Sequence, residues 1–201
     1  MGMNNSQYSN KKKEIIKKYN SSSFFYDSRY KQIQETKYQI ILKNFDVSRK
    51  VILDLGCGTG LFIDYISRRK LDQKENLDYY VGLDISWNML LEFRSKFEKL
   101  KCKNISLLLS DIENLPFRDN QFFSVLSLTS FQNLQDVKKG IKELLRVSRN
   151  RADFKFSILK KKINLKILVD SLKSFVLIDQ VLNKENLEDV IIQGKVFKRN
   201  K

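Results

Sequence analysis

The chain has 201 residues, of which 42% are hydrophobic and 30% charged, a composition typical of one sizeable α/β domain. No apolar run reaches the roughly 18 residues of a membrane-spanning helix, so the sequence predicts no membrane span. Its two cysteines, Cys57 and Cys102, do not make a disulfide framework. Because the polar N-terminus also lacks the apolar core of a signal peptide, a cytoplasmic location is expected.

The net charge of +15 is concentrated at the two ends of the chain. Residues 51–144 carry 13 basic and 13 acidic side chains, whereas residues 1–50 contribute +7 and residues 145–201 contribute +8. Basic flanks favour a polyanionic partner such as RNA, because lysine and arginine near phosphates release condensed counterions. A general enrichment in lysine would explain the same charge without any partner.

The N-terminal part of the sequence predicts helices. Residues 1–10 are expected to be a disordered tail, followed by one domain over 11–201, in which 11–48 form a helical lid and 49–201 a core. Apolar spacing predicts a short helix over 11–19, a break at the Asn-Ser-Ser-Ser stretch, and a longer helical segment after it. The aromatic residues of that segment could cover a binding site or pack into the core.

From residue 51 onwards, strands and helices alternate. Strands are predicted at 51–55, 78–84, 105–109, 122–128, 153–159, 175–181 and 190–197, and helices at 61–69, 87–100, 136–147 and 163–172. Such alternation indicates right-handed βαβ units and a mainly parallel sheet. The predicted fold is therefore a Rossmann-like, doubly wound α/β fold with seven strands, a C-terminal antiparallel hairpin and an N-terminal helical lid.

A glycine-rich turn follows the first predicted strand. Gly56, Gly58 and Gly60 stand at alternate positions, and Asp54 lies two residues before them. Glycine permits a close approach of backbone to ligand, and the following helix N-terminus offers free N–H groups. The spacing differs from the dinucleotide pattern and lacks the lysine of a Walker loop, while the acid suits a cationic ligand.

Three predicted strands end in acids: Asp54, Asp84 and Asp111. In an open parallel sheet the ligand crevice lies beyond the carboxyl ends of the strands. The separation of Gly60 from Asp84 matches that of a ribose-binding acid in dinucleotide folds. These acids could instead cap the following helices, but their register with the glycine turn favours nucleoside binding.

The segment 54–60 resembles motif I of the class I S-adenosylmethionine-dependent methyltransferases, and 81–86 and 110–117 are similar to motif II and the adenine-flanking segment. The resemblance covers about residues 20–159 and points to the type 11-like group. It implies S-adenosylmethionine as cofactor and methyl transfer as the activity. The cofactor-binding residues that it implies are Tyr19, Tyr26, Asp54, Gly56, Cys57, Gly58, Gly60, Asp84, Ile85, Asp111, Ile112 and Ser127. Among these, the glycines are expected under the methionine moiety, Asp84 at the ribose, and Asp111 and Ile112 at the adenine.

The sequence departs from many relatives after the fourth strand. Gln132 and Asn133 stand where those relatives carry a histidine pair, and the chain has no histidine. The sequence therefore names no catalytic residue and no metal site, and it leaves catalysis to proximity and orientation. Thr129, Gln132 and Asn133 could orient a substrate or could cap the turn.

The acceptor and any protein partner remain open at this stage. Acceptors compatible with the sequence are RNA (tRNA or rRNA) and a small molecule under the lid; a non-catalytic S-adenosylmethionine- or RNA-binding subunit is the third hypothesis. Strand 105–109 is expected at the sheet edge, where strand addition is possible. The resemblance includes RNA methyltransferases that bind a small zinc-binding activator protein there; a covering helix is the alternative.

Overall fold

A computed structural model of the chain describes residues 9–45, 51–70, 78–100, 104–162 and 164–198. The first element is helix α1 (Asn10–Ile41), and a short 3₁₀ turn (Leu42–Asn44) follows it. Ser9 caps the helix N-terminus by accepting a hydrogen bond from the Lys12 backbone. Of the predicted tail, residues 1–8 lie outside the described residues, and the helix already begins at position 10.

Helix α1 is continuous over 32 residues, so the break predicted in its middle is wrong. The hydroxyls of Ser21 and Ser23 donate to carbonyls three residues earlier, at 2.9 and 3.2 Å, instead of starting a new helix. The Asn20 side-chain oxygen accepts hydrogen bonds from Ser86 Oγ at 2.7 Å and from the Asn88 backbone at 3.1 Å. These long-range contacts outweigh the low helix propensity of the stretch.

The remaining elements follow the predicted alternation. In chain order they are β1 (Val51–Leu55), α2 (Leu61–Lys70), β2 (Tyr79–Asp84), α3 (Trp87–Leu100), β3 (Ile105–Leu109), β4 (Phe122–Leu128), α4 (Val137–Val147), β5 (Ser148–Leu159), α5 (Leu165–Lys173), β6 (Val176–Leu182) and β7 (Asp189–Val196). The seven strands form one sheet in the order β3-β2-β1-β4-β5-β7-β6. Strands β1 to β5 pair in parallel, and β7 is antiparallel to both β5 and β6. The Rossmann-like fold with its C-terminal antiparallel hairpin is therefore confirmed.

Two apolar clusters cover the two faces of the sheet, because successive side chains of a strand point to opposite faces. Ile52 belongs to the cluster that includes Phe62 of α2 and Phe93 of α3. Its neighbour Leu53 belongs to the other cluster, with Leu144 of α4 among its members. Burial on both faces explains why the central strands read as nearly continuous apolar runs.

The strand order reverses between β1 and β4. In doubly wound sheets, the carboxyl ends of the strands at such a point border a crevice. Helix α1 lies beside this edge, since Lys12 near its start contacts Asp111 just after β3 and Lys37 near its end contacts Asp189 at the start of β7. The fold thus places α1 next to the glycine turn and the acids that follow the strands.

Candidate active site

The glycine turn after β1 is held against the end of β2. Gly56, Gly58 and Gly60 all have positive φ, at 83°, 55° and 78°, a conformation that glycine adopts without steric cost. The backbone N–H groups of Gly56 and Cys57 donate to the Leu83 carbonyl at 2.8 and 3.0 Å. The turn is therefore fixed beside the residue that ends β2.

Asp84 ends β2 and anchors this turn. Its two carboxylate oxygens accept backbone hydrogen bonds from Gly58 at 2.9 Å and from Ser86 at 2.8 Å. Burial raises the pKa of the Asp84 carboxyl, although the backbone donors of Ser86, Gly58 and Ile85 oppose that effect. Because a carboxylate offers about four lone-pair sites, Asp84 keeps free acceptor capacity that suits a sugar hydroxyl.

A pocket of about 80 Å³, here called the inner pocket, lies between α1, the glycine turn and the ends of β2, β3 and β4. Eight of the predicted cofactor-binding residues line it: Tyr19, Tyr26, Gly56, Gly58, Asp84, Ile85, Asp111 and Ile112. Met89 and Leu134 add apolar surface to its wall. The structure thus brings together a carboxylate, a close backbone approach and apolar side chains, the elements that a nucleoside site needs.

Four predicted cofactor residues do not line the inner pocket: Asp54, Cys57, Gly60 and Ser127. The Asp54 carboxyl accepts a hydrogen bond from the Tyr80 hydroxyl at 2.5 Å. The Ser127 hydroxyl donates to the Leu55 carbonyl at 3.1 Å. Asp54, Cys57 and Ser127 are buried, so these residues support the strand ends and the turn from behind.

The buried Asp54 predicts a pH dependence of stability. Burial raises its pKa from 3.8 to about 7, although the Tyr80 hydrogen bond opposes the shift. The folded protein therefore keeps a proton that the unfolded chain releases, so the free energy of unfolding falls as pH rises through this interval. Asp54→Asn removes this loss, and urea unfolding is expected to show the variant gaining stability relative to wild type between pH 5 and pH 8.

The exposed Asp78, just before β2, offers a matched control for this prediction. The free energy of unfolding of Asp78→Asn should differ from that of wild type by the same small amount at pH 5 and at pH 8. A stability difference between Asp54→Asn and wild type that stays constant with pH would contradict the argument.

A larger cavity of about 990 Å³, here called the outer cavity, adjoins the inner pocket. Five residues line both of them: Ile15, Tyr19, Tyr26, Thr129 and Asn133. The Asn133 side-chain amide donates to the Tyr19 hydroxyl at 2.8 Å, which joins the turn after β4 to α1. Of the three predicted substrate residues, Thr129 and Asn133 therefore lie at the junction, and Gln132 lines the outer cavity.

The outer cavity is basic and aromatic. Lys11, Lys18, Arg29 and Lys162 line it at exposed positions. Three tyrosines of α1 form a row along its wall: the ring centroids of Tyr19 and Tyr26 are 6.4 Å apart, and those of Tyr26 and Tyr30 are 4.7 Å apart. Positive charge beside flat aromatic faces suits an anionic ligand with planar groups.

Lys12 of α1 closes one side of the inner pocket. Its ammonium group lies 2.5 Å from an Asp111 oxygen and 3.0 Å from a Glu113 oxygen. Burial lowers the pKa of Lys12, but its hydrogen bonds and charge interactions with Asp111 and Glu113 outweigh burial, and the pKa is raised overall. An ion pair therefore connects α1 to the segment that follows β3.

Three further polar residues of the site were not predicted from the sequence: Gln34, Lys37 and Asp189. All three are buried and line the outer cavity. Lys37 is 2% exposed and pairs with Asp189, which is 1% exposed, at 3.1 Å. Burial lowers the pKa of Lys37, and the charge of Asp189 opposes this. Apolar periodicity does not reveal buried polar groups, so the sequence offered no signal for them.

Within the described ranges, no helix combines the length and the apolar character needed to cross a membrane. The same ranges contain no group of three or more His, Cys, Asp or Glu residues that could hold a metal ion.

Comparison with known proteins identifies the family. Residues 52–151 match the family model described as a methyltransferase domain. The chain is 29% identical over 148 residues to the malonyl-[acyl-carrier protein] O-methyltransferase of Hamiltonella defensa. This match covers 74% of the chain and 53% of that protein. The chain thus spans about half the length of the curated relatives it matches.

Solved structures show the same fold. A methyltransferase from Aquifex aeolicus superposes with a TM-score of 0.67 at 20% identity, over 91% of this chain and 97% of that one. The complex of the Haloferax volcanii activator Trm112 with a methyltransferase gives a TM-score of 0.69 at 15% identity. That superposition covers 90% of this chain and 98% of the other. The strand order, the glycine turn and the matched family model define a Rossmann-fold methyltransferase domain. The chain belongs to the class I methyltransferases, whose cofactor is S-adenosylmethionine.

Proposed function

We propose that the chain transfers a methyl group from S-adenosylmethionine to RNA. The observation that carries the proposal is the outer cavity, which meets the inner pocket at Thr129 and Asn133 and has a basic, tyrosine-lined wall. In this arrangement the inner pocket holds the cofactor and the outer cavity holds the acceptor. The junction is then the place where the methyl group passes from one to the other.

The inner pocket fits the cofactor by the chemistry of its donor and acceptor groups. Asp84 has spare lone pairs for the ribose hydroxyls, and Ile85, Met89 and Ile112 offer apolar contact to the adenine. Gly56 marks a close approach, because a Cβ atom there would lie 2.5 Å from Ser130 Cβ. S-adenosylmethionine supplies a methyl group on a positively charged sulfur, and the residues of this chain orient the acceptor toward it.

The outer cavity fits RNA through two features. Unstacked bases bind single-strand-binding proteins by stacking on aromatic side chains, and the tyrosine row of α1 provides such faces. Phosphates bind lysine and arginine, and Lys18, Arg29 and Lys162 lie exposed around the cavity. These residues belong to the two basic flanks of the sequence, so part of each flank lies beside the outer cavity.

Methyl transfer from labelled S-adenosylmethionine tests the acceptor directly. The protein is incubated with total RNA, with a protein fraction and with a metabolite extract. Label in the RNA fraction is expected, and label confined to either of the other fractions would contradict RNA as the acceptor.

Salt dependence of RNA affinity tests the basic wall. Each ion contact to single-stranded nucleic acid contributes about 0.7 to the slope of log K against log salt. The double variant Lys18→Glu/Arg29→Glu is therefore expected to reduce that slope by roughly 1.4, measured by fluorescence anisotropy with labelled RNA. Lys173→Glu, on the exposed face of α5, is the control and should leave the slope within about 0.7 of wild type. An RNA affinity of the wild-type protein that does not change with salt would contradict the proposal.

A small-molecule acceptor is the second candidate. Helix α1 lies beside both cavities and could enclose a small acceptor, and the Hamiltonella defensa relative is named for the malonyl group of an acyl-carrier protein. The open, basic wall favours RNA over this alternative. Label in the metabolite fraction alone would favour the small-molecule acceptor over RNA.

A protein partner completes the proposal. Strand β3 is the edge of the sheet and pairs on one side with β2, so its other side can receive a strand. The Haloferax volcanii structure contains an activator protein together with its methyltransferase. We expect an activator of that kind to bind at Ile105–Leu109, and the transfer assay is therefore run with and without it.

A further inference from the structure

Thr129 occupies a strained position where the inner pocket meets the outer cavity. Its φ is 58°, a conformation that is a genuine outlier for a β-branched residue. Its backbone N–H is held by the Ser157 carbonyl at 3.0 Å and the Ser157 hydroxyl at 3.1 Å. Such strain persists where surrounding contacts over-determine it, and it clusters at functional sites.

The Thr129 hydroxyl has a defined polarity. A lysine ammonium donates but does not accept, so the Lys37 contact at 2.5 Å uses a lone pair of Thr129 Oγ1. The hydroxyl proton then points to Asp189 Oδ2 at 2.7 Å. Thr129 Oγ1 also lies 3.4 Å from the Ser157 hydroxyl, but that hydroxyl donates its proton to Asp189 Oδ2 at 2.8 Å. The second lone pair of Thr129 Oγ1 therefore receives no proton from Ser157. Thr129 lines both cavities, so that lone pair is the one available to a bound acceptor.

Asp189 is the acceptor at the end of this chain of hydrogen bonds. Its Oδ2 accepts hydrogen bonds from Thr129, from the Ser157 hydroxyl at 2.8 Å and from Lys37 at 3.1 Å. Its Oδ1 has no hydrogen-bond partner among the residues that the structure describes. The Lys37 ammonium group lies beside this buried carboxylate, 3.1 Å from Oδ2.

Two more buried oxygens on the wall of the outer cavity have no partner among the described residues. They are Gln34 Oε1 and Gln132 Oε1. The Gln132 amide nitrogen donates to the Thr129 carbonyl at 2.5 Å, which fixes the orientation of that amide. An unpaired buried acceptor destabilises the fold, so these oxygens favour a ligand that brings N–H or O–H donors. An ionised carboxylate would bring none.

On the basis of the proposed function, we propose that the outer cavity selects an acceptor with a proton on the methylated nitrogen or oxygen, and that Asp189 receives this proton through Thr129. The lone pair of the acceptor atom forms the new bond to the methyl carbon at the expense of the carbon–sulfur bond, whose electron pair stays on sulfur. The acceptor proton passes to Thr129 Oγ1 while the Thr129 proton passes to Asp189 Oδ2. Lys37 and Ser157 act as positioning residues.

This relay explains how a chain without histidine can move a proton at the site. In a nucleobase, the exocyclic amines and the ring N–H groups meet the requirement for a proton. Tertiary amines and thioethers, which have no proton to give, do not.

The test measures labelled methyl transfer by Thr129→Val and Asp189→Asn into the RNA, protein and metabolite fractions. Loss of the relay is expected to lower kcat about 100-fold with KM changed little, since general acid–base groups contribute roughly 10²–10⁴-fold. Thr129→Ser, which keeps the hydroxyl, should restore kcat to within about threefold of wild type. Thr36→Val on the exposed face of α1 is the matched control, because its hydroxyl bonds the Gln32 carbonyl at 3.1 Å outside the site. Calorimetry with S-adenosylhomocysteine should give the wild-type affinity for Asp189→Asn and Thr36→Val, whose residues do not line the inner pocket.

The outcomes separate the two proposals. Label in the protein or metabolite fraction that falls in Thr129→Val would support the relay and overturn RNA as acceptor. Label in any fraction that is insensitive to Thr129→Val would overturn the relay, as would a Thr129→Ser variant no better than Thr129→Val. If Asp189→Asn fails to fold, the nearly isosteric Thr129→Val still tests the relay. No label in any fraction, with or without an activator protein, would overturn both proposals.

Discussion

Replacement of Asp84 by alanine is expected to weaken S-adenosylhomocysteine binding about a thousandfold, because two charge-assisted hydrogen bonds worth roughly 1.5–3 kcal/mol each are lost. The Asp84 carboxylate has two roles. It fixes the glycine turn through the Gly58 N–H at 2.9 Å, and its remaining lone pairs are available to the ribose hydroxyls. Isothermal titration calorimetry on the folded variant measures the effect.

Asp84→Asn and Asp78→Ala separate the contributions to this loss. Asp84→Asn keeps one acceptor oxygen and the shape of the side chain, so an intermediate affinity is expected. Asp78→Ala removes an exposed carboxylate just before the same strand and should bind like wild type. An Asp84→Ala variant whose affinity lies within about threefold of wild type would refute the assignment of the inner pocket to the cofactor.

Replacement of Gly60 by alanine is expected to destabilise the fold by about 4 kcal/mol, the sum of backbone strain and overpacking. Gly60 has φ of 78°, and a Cβ atom there would overlap the ring of Phe93 on α3. Phe93 is 1% exposed and packed in the apolar cluster, so the ring has no free space into which it can move. Thermal unfolding should show a Tm lower by roughly 10 °C.

Gly58→Ala is the matched control, because Gly58 also has positive φ but a Cβ atom there would meet nothing within 4 Å. Its cost is limited to the backbone strain of about 1–2 kcal/mol. Equal destabilisation by the two substitutions would contradict the packing role of Gly60. The contrast also distinguishes a glycine that the fold requires from one that lines the ligand pocket.

The sequence predicted those residues of the inner pocket whose placement depends on local pattern. The glycine turn, Asp84 and Asp111 follow strands whose apolar runs are easily recognised, and parallel strands bring their carboxyl ends to one edge. The role of Asp54 was harder to predict, because the strand pattern does not show that Tyr80 of the next strand occupies its carboxyl group.

The outer cavity could not be predicted in the same way. Lys37 and Asp189 are 152 positions apart in the chain and meet because α1 lies beside the start of β7. A lysine in a helix reads as a solvated residue, and its burial depends on a partner that no local pattern reveals. The break predicted in α1 was wrong for the same reason, since Asn20 finds its partners in Ser86, just before α3, and in Asn88 on α3.

The unbroken length of α1 has a kinetic consequence. At about 1.5 Å per residue, its 32 residues span about 48 Å, and they include Lys12 at the inner pocket and Lys37 in its ion pair with Asp189. A stiff rod cannot lift at one end without tilting at the other. We therefore expect a ligand bound in one cavity to change the rate at which a ligand exchanges in the other.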